Sequence, residues 1–196
     1  MKLAPSMPDI PINWKPKTVE GFETKVPGLM IKKDTSRAYK EILVDIFEEV
    51  KRLVFKLMRA HRAGLTLGLA ELGMMKGSFI GGFWPVGSNE IIMNSTPLRL
   101  IKQRYDSEFY ISYCYLILLH EYIHTLGFTN EQQTRRITHE LVLKEFGSNH
   151  VITEMARDGI GAFFPFVSLA PPNFRNRPVH VEYIRKFDYS SMKHYS

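Results

Sequence analysis

The feature that most constrains this chain is a long apolar stretch that ends in a pair of histidines. Residues 109–119 read FYISYCYLILL, and His120, Glu121 and His124 follow directly. No glycine or proline interrupts the run before Gly127, which supplies a helix stop, so the sequence predicts one continuous buried helix. Residues four apart on a helix lie only about 40° apart round its axis, so both imidazoles face the same side. Unpaired polar groups are costly on so apolar a helix, which argues against two chance surface histidines.

The spacing His-Glu-x-x-His is typical of zinc sites. Both imidazoles can bind one ion at about 2.0–2.1 Å. Zinc lowers the pKa of a bound water to about 7, and Glu121 could take the proton of that water and pass it to a leaving amine. The motif therefore predicts one Zn²⁺ held by His120 and His124, and hydrolysis of a peptide bond with Glu121 as the general base. A metal-bound site without activity is the alternative.

Zinc needs a third protein ligand, and the helix predicted next offers several. Thr129 and Gln132 form a capping-box pattern that opens this helix, which runs to about Phe146. Glu131 lies on the side of the helix that carries its apolar residues, where a carboxylate needs a partner. Glu131 is therefore the predicted third ligand. The alternatives are His139, Glu145 and Asn130.

The motif and the glutamate that follows it resemble the gluzincin branch of the zincin metallopeptidases. Residues 131–142, EQQTRRITHELV, are similar in polar and apolar spacing to the glutamate helix of the minigluzincins and of small ImmA/IrrE-like peptidases. The resemblance covers about residues 77–147 and implies that both histidines and Glu131 bind zinc, with Glu121 as the general base. The interval before Glu131 is shorter than these families usually have, and Thr134 replaces a small apolar residue.

A second resemblance is to the metzincins in their astacin form. Residues 120–130, HEYIHTLGFTN, are similar to the metzincin signature, with Asn130 in the place of its third histidine. Residues 188–195, DYSSMKHY, are similar to an astacin methionine turn with the methionine displaced by one. This resemblance implies that His194 or Tyr195 completes the site.

Hydrophobic periodicity predicts the rest of an α+β, zincin-like fold. A helix capped within residues 34–36 runs to about His61, with apolar residues every three or four positions. Residues 88–94 predict a short strand in a small mixed or antiparallel sheet, followed by the start of a helix. In zincins the strand before the active-site helix is an edge strand to which an extended substrate adds, and an ordinary core strand is the other possibility.

We expect one domain with two appendages. Residues 1–33 contain five prolines and predict an extended arm that could cover the active-site cleft. Residues 34–170 form the predicted metallopeptidase domain, in which the apolar segment 151–167 supplies core or pocket wall. Residues 171–196 form a basic, aromatic tail. The candidate donors for stabilising an oxyanion are His139, His180, Tyr189 and Tyr195.

The net charge of +6 and the pI of about 9.4 permit contact with nucleic acid, but no motif that reads bases or binds phosphates accompanies them. The partner indicated is a peptide or protein substrate. The rival function is a non-catalytic, metal-stabilised module that binds RNA, a ribosome or a protein. Cys114 is the only cysteine, which excludes an intramolecular disulfide and predicts a buried thiol. No membrane-spanning run or signal-peptide core is visible, so we expect a cytoplasmic protein.

Overall fold

The computed structural model of the chain describes residues 25–26, 29, 39–73, 80–164 and 180–189. Over these residues the fold is α+β, as the sequence predicts, with six helices and one small mixed sheet. The helices are α1 (Tyr39–Met58), α2 (Ser95–Arg104), α3 (Ser107–Thr125), α4 (Glu131–Phe146), α5 (Val151–Asp158) and α6 (Ile160–Phe163). The strands are β1 (Thr66–Ala70), β2 (Gly82–Phe83), β3 (Glu90–Asn94) and β4 (Val181–Ile184).

Some predicted segments fall outside the described residues. Most of the predicted arm, residues 1–33, lies there, and so does part of the predicted tail. The residues outside the description are 1–24, 27–28, 30–38, 74–79, 165–179 and 190–196, and they include the helix caps expected at 34–36 as well as His194 and Tyr195. The boundaries of the arm and of the tail therefore stay predictions.

The sheet has the strand order β2-β3-β1-β4. β3 runs parallel to β1, with Leu67 opposite Ile91, whereas β4 is antiparallel to β1 and β2 is antiparallel to β3. β3 covers most of the strand predicted at residues 88–94. Because β3 is paired on both sides, it is the core strand rather than the edge strand, and the short β2 lies outermost on that side of the sheet.

The core forms where α1 packs against α3. The predicted periodicity of α1 is confirmed, since one of its faces is buried and contacts α3. Phe47 on this face meets the ring of Tyr122 edge-on at 5.4 Å between centroids. The helix ends at Met58, before the predicted His61, because Arg59 has a φ of 55°. The buried residues on α1 are Leu43, Ile46, Phe47, Val50, Leu53 and Val54.

The described part of the predicted tail, residues 180–189, packs into this domain. β4 pairs with β1, and Phe187 stacks on Phe47 with the ring centroids 4.0 Å apart. Asp188 is buried, forms an ion pair with Lys51 and accepts a hydrogen bond from the backbone N–H of Leu65 at 3.1 Å. β4 is therefore the strand at one edge of the sheet.

The most apolar helix, α3, packs against α1, α2, α4 and α5. Cys114 on α3 is buried as predicted, and burial raises the pKa of its thiol. Among the described helices, none combines the length and the apolar character needed to cross a bilayer.

Candidate metal centre

Helix α3 carries the two histidines at its C-terminal end. Asp106 caps its first turn by accepting a hydrogen bond from the backbone N–H of Phe109 at 3.0 Å. The helix ends just before Gly127, whose φ of 102° suits glycine, as the sequence predicts. The apolar body of α3 is buried, while the side chains of His120 and His124 keep 17% and 14% exposure. The core therefore fixes the helix and leaves both imidazoles at its surface.

A short turn then brings the start of α4 back to the histidines. The capping residue is Asn130, which accepts a hydrogen bond from the backbone N–H of Gln133 at 2.9 Å, so the predicted Thr129 cap is wrong. The helix ends before Gly147, as expected. Glu131 occupies the first position of α4, but its side chain is 55% exposed. The prediction that Glu131 lies on a buried face is therefore wrong, although its position opposite α3 agrees with the predicted site.

Three potential ligand atoms converge between α3 and α4. The Nε2 atoms of His120 and His124 are 3.1 Å apart, and each lies 3.3 Å from Oε2 of Glu131. Two ligand atoms that bind the same tetrahedral zinc ion, each at about 2.05 Å, are about 3.3 Å apart. The three separations thus match the edges of a tetrahedron around a small cation. Within the described residues, this is the one group of histidine, cysteine and carboxylate side chains that could hold a metal ion.

The other predicted third ligands lie outside this group. The oxygen of Asn130 is used in capping α4. Glu145 accepts a hydrogen bond from Lys56 on α1 at 2.6 Å. His139 lines the same cleft as the histidines, yet it does not belong to the converging group.

Further hydrogen bonds orient the ligands. His124 Nδ1 is 2.7 Å from the carbonyl oxygen of Phe128, and Thr134 Oγ1 donates to the same oxygen at 2.7 Å. A ring N–H at Nδ1 leaves Nε2 of His124 free to bind a metal. Arg135 Nε donates to Oε1 of Glu131 at 2.7 Å, which leaves Oε2 facing the histidines. The roles of Thr134 and Arg135 in orienting the ligands were not predicted from the sequence, although the spacing of Glu131 and Arg135 is that of an i,i+4 ion pair.

Electrostatics favour the forms that bind metals. Burial lowers the pKa of His120, although the Glu131 carboxylate opposes this shift. Partial burial by itself would raise the pKa of Glu131, but the hydrogen bond from Arg135 and the charge of His120 lower it overall. A neutral imidazole and an ionised carboxylate are the ligands that a divalent cation requires.

Glu121 lies beside this group and is 5% exposed. Burial, and then the charge of Glu131, raise the pKa of Glu121 to about 8, while a hydrogen bond from the backbone N–H of Trp84 opposes the rise. A nearby divalent cation favours the ionised carboxylate, because it adds positive charge to a poorly solvated site. Glu121 is thus placed where proton transfer near neutral pH is possible.

The site opens into a cleft of about 880 Å³ between β2, α3, α4 and the α5–α6 segment. Gly82 on β2 lies against the base of this cleft. A Cβ atom at this position would be 3.0 Å from the carbonyl oxygen of Ile92 and 3.2 Å from Cγ of Glu121. Glycine therefore allows β2 to approach the helix that carries Glu121.

The predicted oxyanion donors are distributed unevenly round the cleft. His139 lines it, whereas His180 and Tyr189 are described and do not. Tyr195 and the predicted metzincin residue His194 lie outside the described residues. His139 is thus the one predicted donor that the structure brings to the cleft within its described part.

Comparison with protein-family models, with curated proteins and with solved structures found no match for this chain. The assignment of a function therefore rests on the motif and on the geometry of the site.

Proposed function

We propose that the protein is a zinc-dependent metallopeptidase with a zincin-like fold and a gluzincin-like site. His120, His124 and Glu131 bind one Zn²⁺, and Glu121 is the general base. The observation that carries this proposal is the convergence of the three ligand atoms at 3.1–3.3 Å beside a buried carboxyl group, at the wall of a large cleft.

The donor set supports zinc as the metal. Two imidazole nitrogens and one carboxylate oxygen form a common catalytic zinc set, in which the fourth position stays open for water or substrate. Because His120 and Glu131 both line the cleft, a metal ion held by them would be accessible from the space that a substrate would enter. Softer thiolate ligands are not available from Cys114, which is buried in α3.

The reaction is hydrolysis of a peptide bond. When bound, zinc supplies the positive charge that lowers the pKa of a water molecule and polarises the scissile carbonyl. Glu121 accepts a proton from the attacking water as the oxygen of that water bonds to the carbonyl carbon. Glu121 then gives this proton to the amine nitrogen as the C–N bond breaks. Burial keeps this carboxyl group poorly solvated and close to its reaction partners.

The outer strand β2 is suited to binding the substrate backbone. Residues 80–83 line the cleft, and β2 pairs with β3 on its other side. No described strand pairs with the outer edge of β2, and an extended peptide can hydrogen-bond to such an edge. We therefore assign to β2 the substrate-binding role that the sequence left open for the strand at residues 88–94. An unstructured protein or a peptide is the corresponding substrate, with internal or N-terminal cleavage.

Metal analysis combined with a cleavage assay tests the proposal. The purified full chain is expected to contain one zinc ion and to cleave an unstructured protein. A chelator should abolish cleavage and added zinc should restore it. Glu121→Gln should retain zinc and lose cleavage, while Glu140→Gln, an exposed position on α4, provides a control of equal charge change.

Two outcomes would contradict the proposal. One is zinc-loaded wild-type protein that cleaves no peptide or unstructured protein, which would favour the non-catalytic binding module. The other is cleavage that persists unchanged in Glu121→Gln, which would indicate a contaminating peptidase or a different base.

A further inference from the structure

Three arginines line the cleft. Arg135 and Arg136 lie on α4, and Arg157 lies on α5. Two of these arginines already have acidic partners. Arg135 donates to Glu131 at 2.7 Å, and Arg157 forms ion pairs with Asp158 at 2.8 Å and with Glu154. Their charges are therefore compensated within the protein.

Arg136 is different. Its side chain is exposed in the cleft, and within the described part of the chain it has neither a hydrogen bond nor an ion pair. His139 lies three residues further along α4, on the same side of the helix, and it too has no hydrogen-bond partner among the described residues. Two neighbouring side chains with unused N–H donors thus face one cleft, and a guanidinium can bind a carboxylate through two parallel hydrogen bonds.

The acidic groups of the cleft do not compete for Arg136. Glu131 is engaged by Arg135 and by the histidines, and Asp158 is engaged by Arg157. Glu121 is buried beside Trp84. Among the described residues, no carboxylate that lines the cleft is thus left to pair with Arg136, so a negative charge placed there inside the cleft would come from a bound molecule.

The opposite wall of the cleft is apolar, so a ligand that fits the cleft has apolar groups on that side. Ile80 and Phe83, each 40% exposed, lie on the β2 side, and Leu116 and Ile117 lie on α3. A peptide lying between these walls would contact apolar side chains on one side and Arg136 on the other. Complementary charge of this kind contributes to the choice between ligands.

Building on the proposed function, we infer that Arg136, with His139 beside it, binds a carboxylate of the peptide substrate and makes the enzyme selective for acidic segments. Arg136 lies five residues after Glu131, which is about 7.5 Å along the helix axis. An extended peptide advances about 3.3 Å per residue. The carboxylate recognised is therefore roughly two residues from the scissile bond.

The carboxylate could belong to an aspartate or glutamate side chain or to the C-terminus of the peptide. Fluorescent peptides that differ in one feature separate these sources. One series has Glu, Gln or Lys two residues from a central apolar residue, with the C-terminus amidated. A second series keeps Gln at that position and has a free or an amidated C-terminus.

Binding is measured by fluorescence anisotropy on zinc-loaded Glu121→Gln protein, so that no turnover intervenes. We expect the Glu peptide, or the peptide with a free C-terminus, to bind about 10-fold more tightly than its neutral counterpart. Arg136→Gln should remove this preference, and His139→Gln should reduce it. Arg185→Gln, which removes the same charge from an exposed position outside the cleft, should preserve it.

Equal binding of acidic and neutral peptides would overturn the inference, even if the wild-type protein is an active peptidase. The same loss of preference in Arg185→Gln and Arg136→Gln would also overturn it, because the effect would then come from net charge. If acidic peptides bind selectively but the wild-type protein does not cleave them, the carboxylate subsite is supported and the proposed peptidase activity is contradicted.

Discussion

The two helices that meet at the candidate metal centre differ in how their ligands are held. In α3, 15 of the 19 residues are buried, whereas in α4 only Thr134, Thr138, Leu141 and Val142 are. The histidines are therefore placed by the packing of the core. Glu131 is placed by a helix cap and by an exposed ion pair with Arg135. The packed core thus positions the helix that carries two of the ligands, while the position of the third depends on a helix cap and an ion pair at the surface.

Removing one ligand from each helix gives the largest expected effect. His124→Ala should weaken zinc binding about 1000-fold, and Glu131→Ala about 100-fold, because the carboxylate is the more exposed and more easily replaced by water. Competition with a chromophoric chelator measures both affinities. His139→Ala is the control and should bind zinc normally. An equal loss in His139→Ala and Glu131→Ala would show that the third ligand has been misassigned.

The buried carboxyl group on α3 should make the metal-free protein sensitive to pH. Glu121 has a pKa of about 8 in the folded chain and about 4.5 when unperturbed. Between pH 4.5 and 8, the folded state thus keeps a proton that the unfolded state loses. The free energy of unfolding therefore falls as the pH rises through this range. Glu121→Gln should therefore raise the free energy of unfolding by about 4 kcal/mol at pH 8 and by about 1 kcal/mol at pH 5.

Urea denaturation of metal-free protein at the two pH values measures this difference. Glu140→Gln, at an exposed position on α4, should show no such dependence. A stabilisation by Glu121→Gln that is as large at pH 5 as at pH 8 would contradict the explanation by titration.

The hydrogen bonds behind His124 should have a smaller effect. Thr134→Val removes the hydroxyl that shares the carbonyl oxygen of Phe128 with the imidazole, at nearly constant volume. Zinc affinity is expected to fall about 10-fold. Thr138→Val is a matched control, because Thr138 is also buried on α4 but its hydroxyl has no partner among the described residues. If both variants lost affinity equally, helix packing rather than ligand orientation would be responsible.

The weakest effect is expected from the exposed ion pair. Arg135→Gln should lower zinc affinity two- to threefold, or about 0.5 kcal/mol, since solvent and salt screen a pair in which Arg135 is 73% exposed. The loss should shrink as the salt concentration is raised. Arg136→Gln changes the charge equally at the next position and should leave zinc affinity unchanged. A loss of 10-fold or more in Arg135→Gln would mean that the surface holds Glu131 as firmly as the core holds the histidines.

Sequence alone predicted the parts of the site that depend on local order. The apolar run and the spacing of His120 and His124 are properties of one helix, and Gly127 marks its end. Glu131 was predicted from its supposed place on a buried face, but it reaches the histidines because only six residues separate it from His124 and the chain turns back at once. Its exposure was mispredicted, because the amphipathic pattern of α4 does not reveal which neighbour covers each face.

The sheet was harder to predict, because its pairings join distant segments. β3 can be predicted from a local pattern. Its place between β1 and β2, however, depends on residues outside that pattern. The same is true of β4, which comes from the segment expected to form a tail. The shared acceptor at Phe128 was missed for another reason, since it is a backbone carbonyl whose position only the turn geometry determines.

The late position of β4 has a consequence for how the protein is made. Leu65 and Asp188, which are hydrogen-bonded, lie 123 residues apart in the chain. Contacts so remote in sequence are slow to form, and this one has to wait until residue 188 has been translated. A nascent chain therefore contains both histidines before it contains the strand that completes the sheet. The helix that carries both histidines and the completed sheet are therefore separated in time during synthesis, with the sheet completed last.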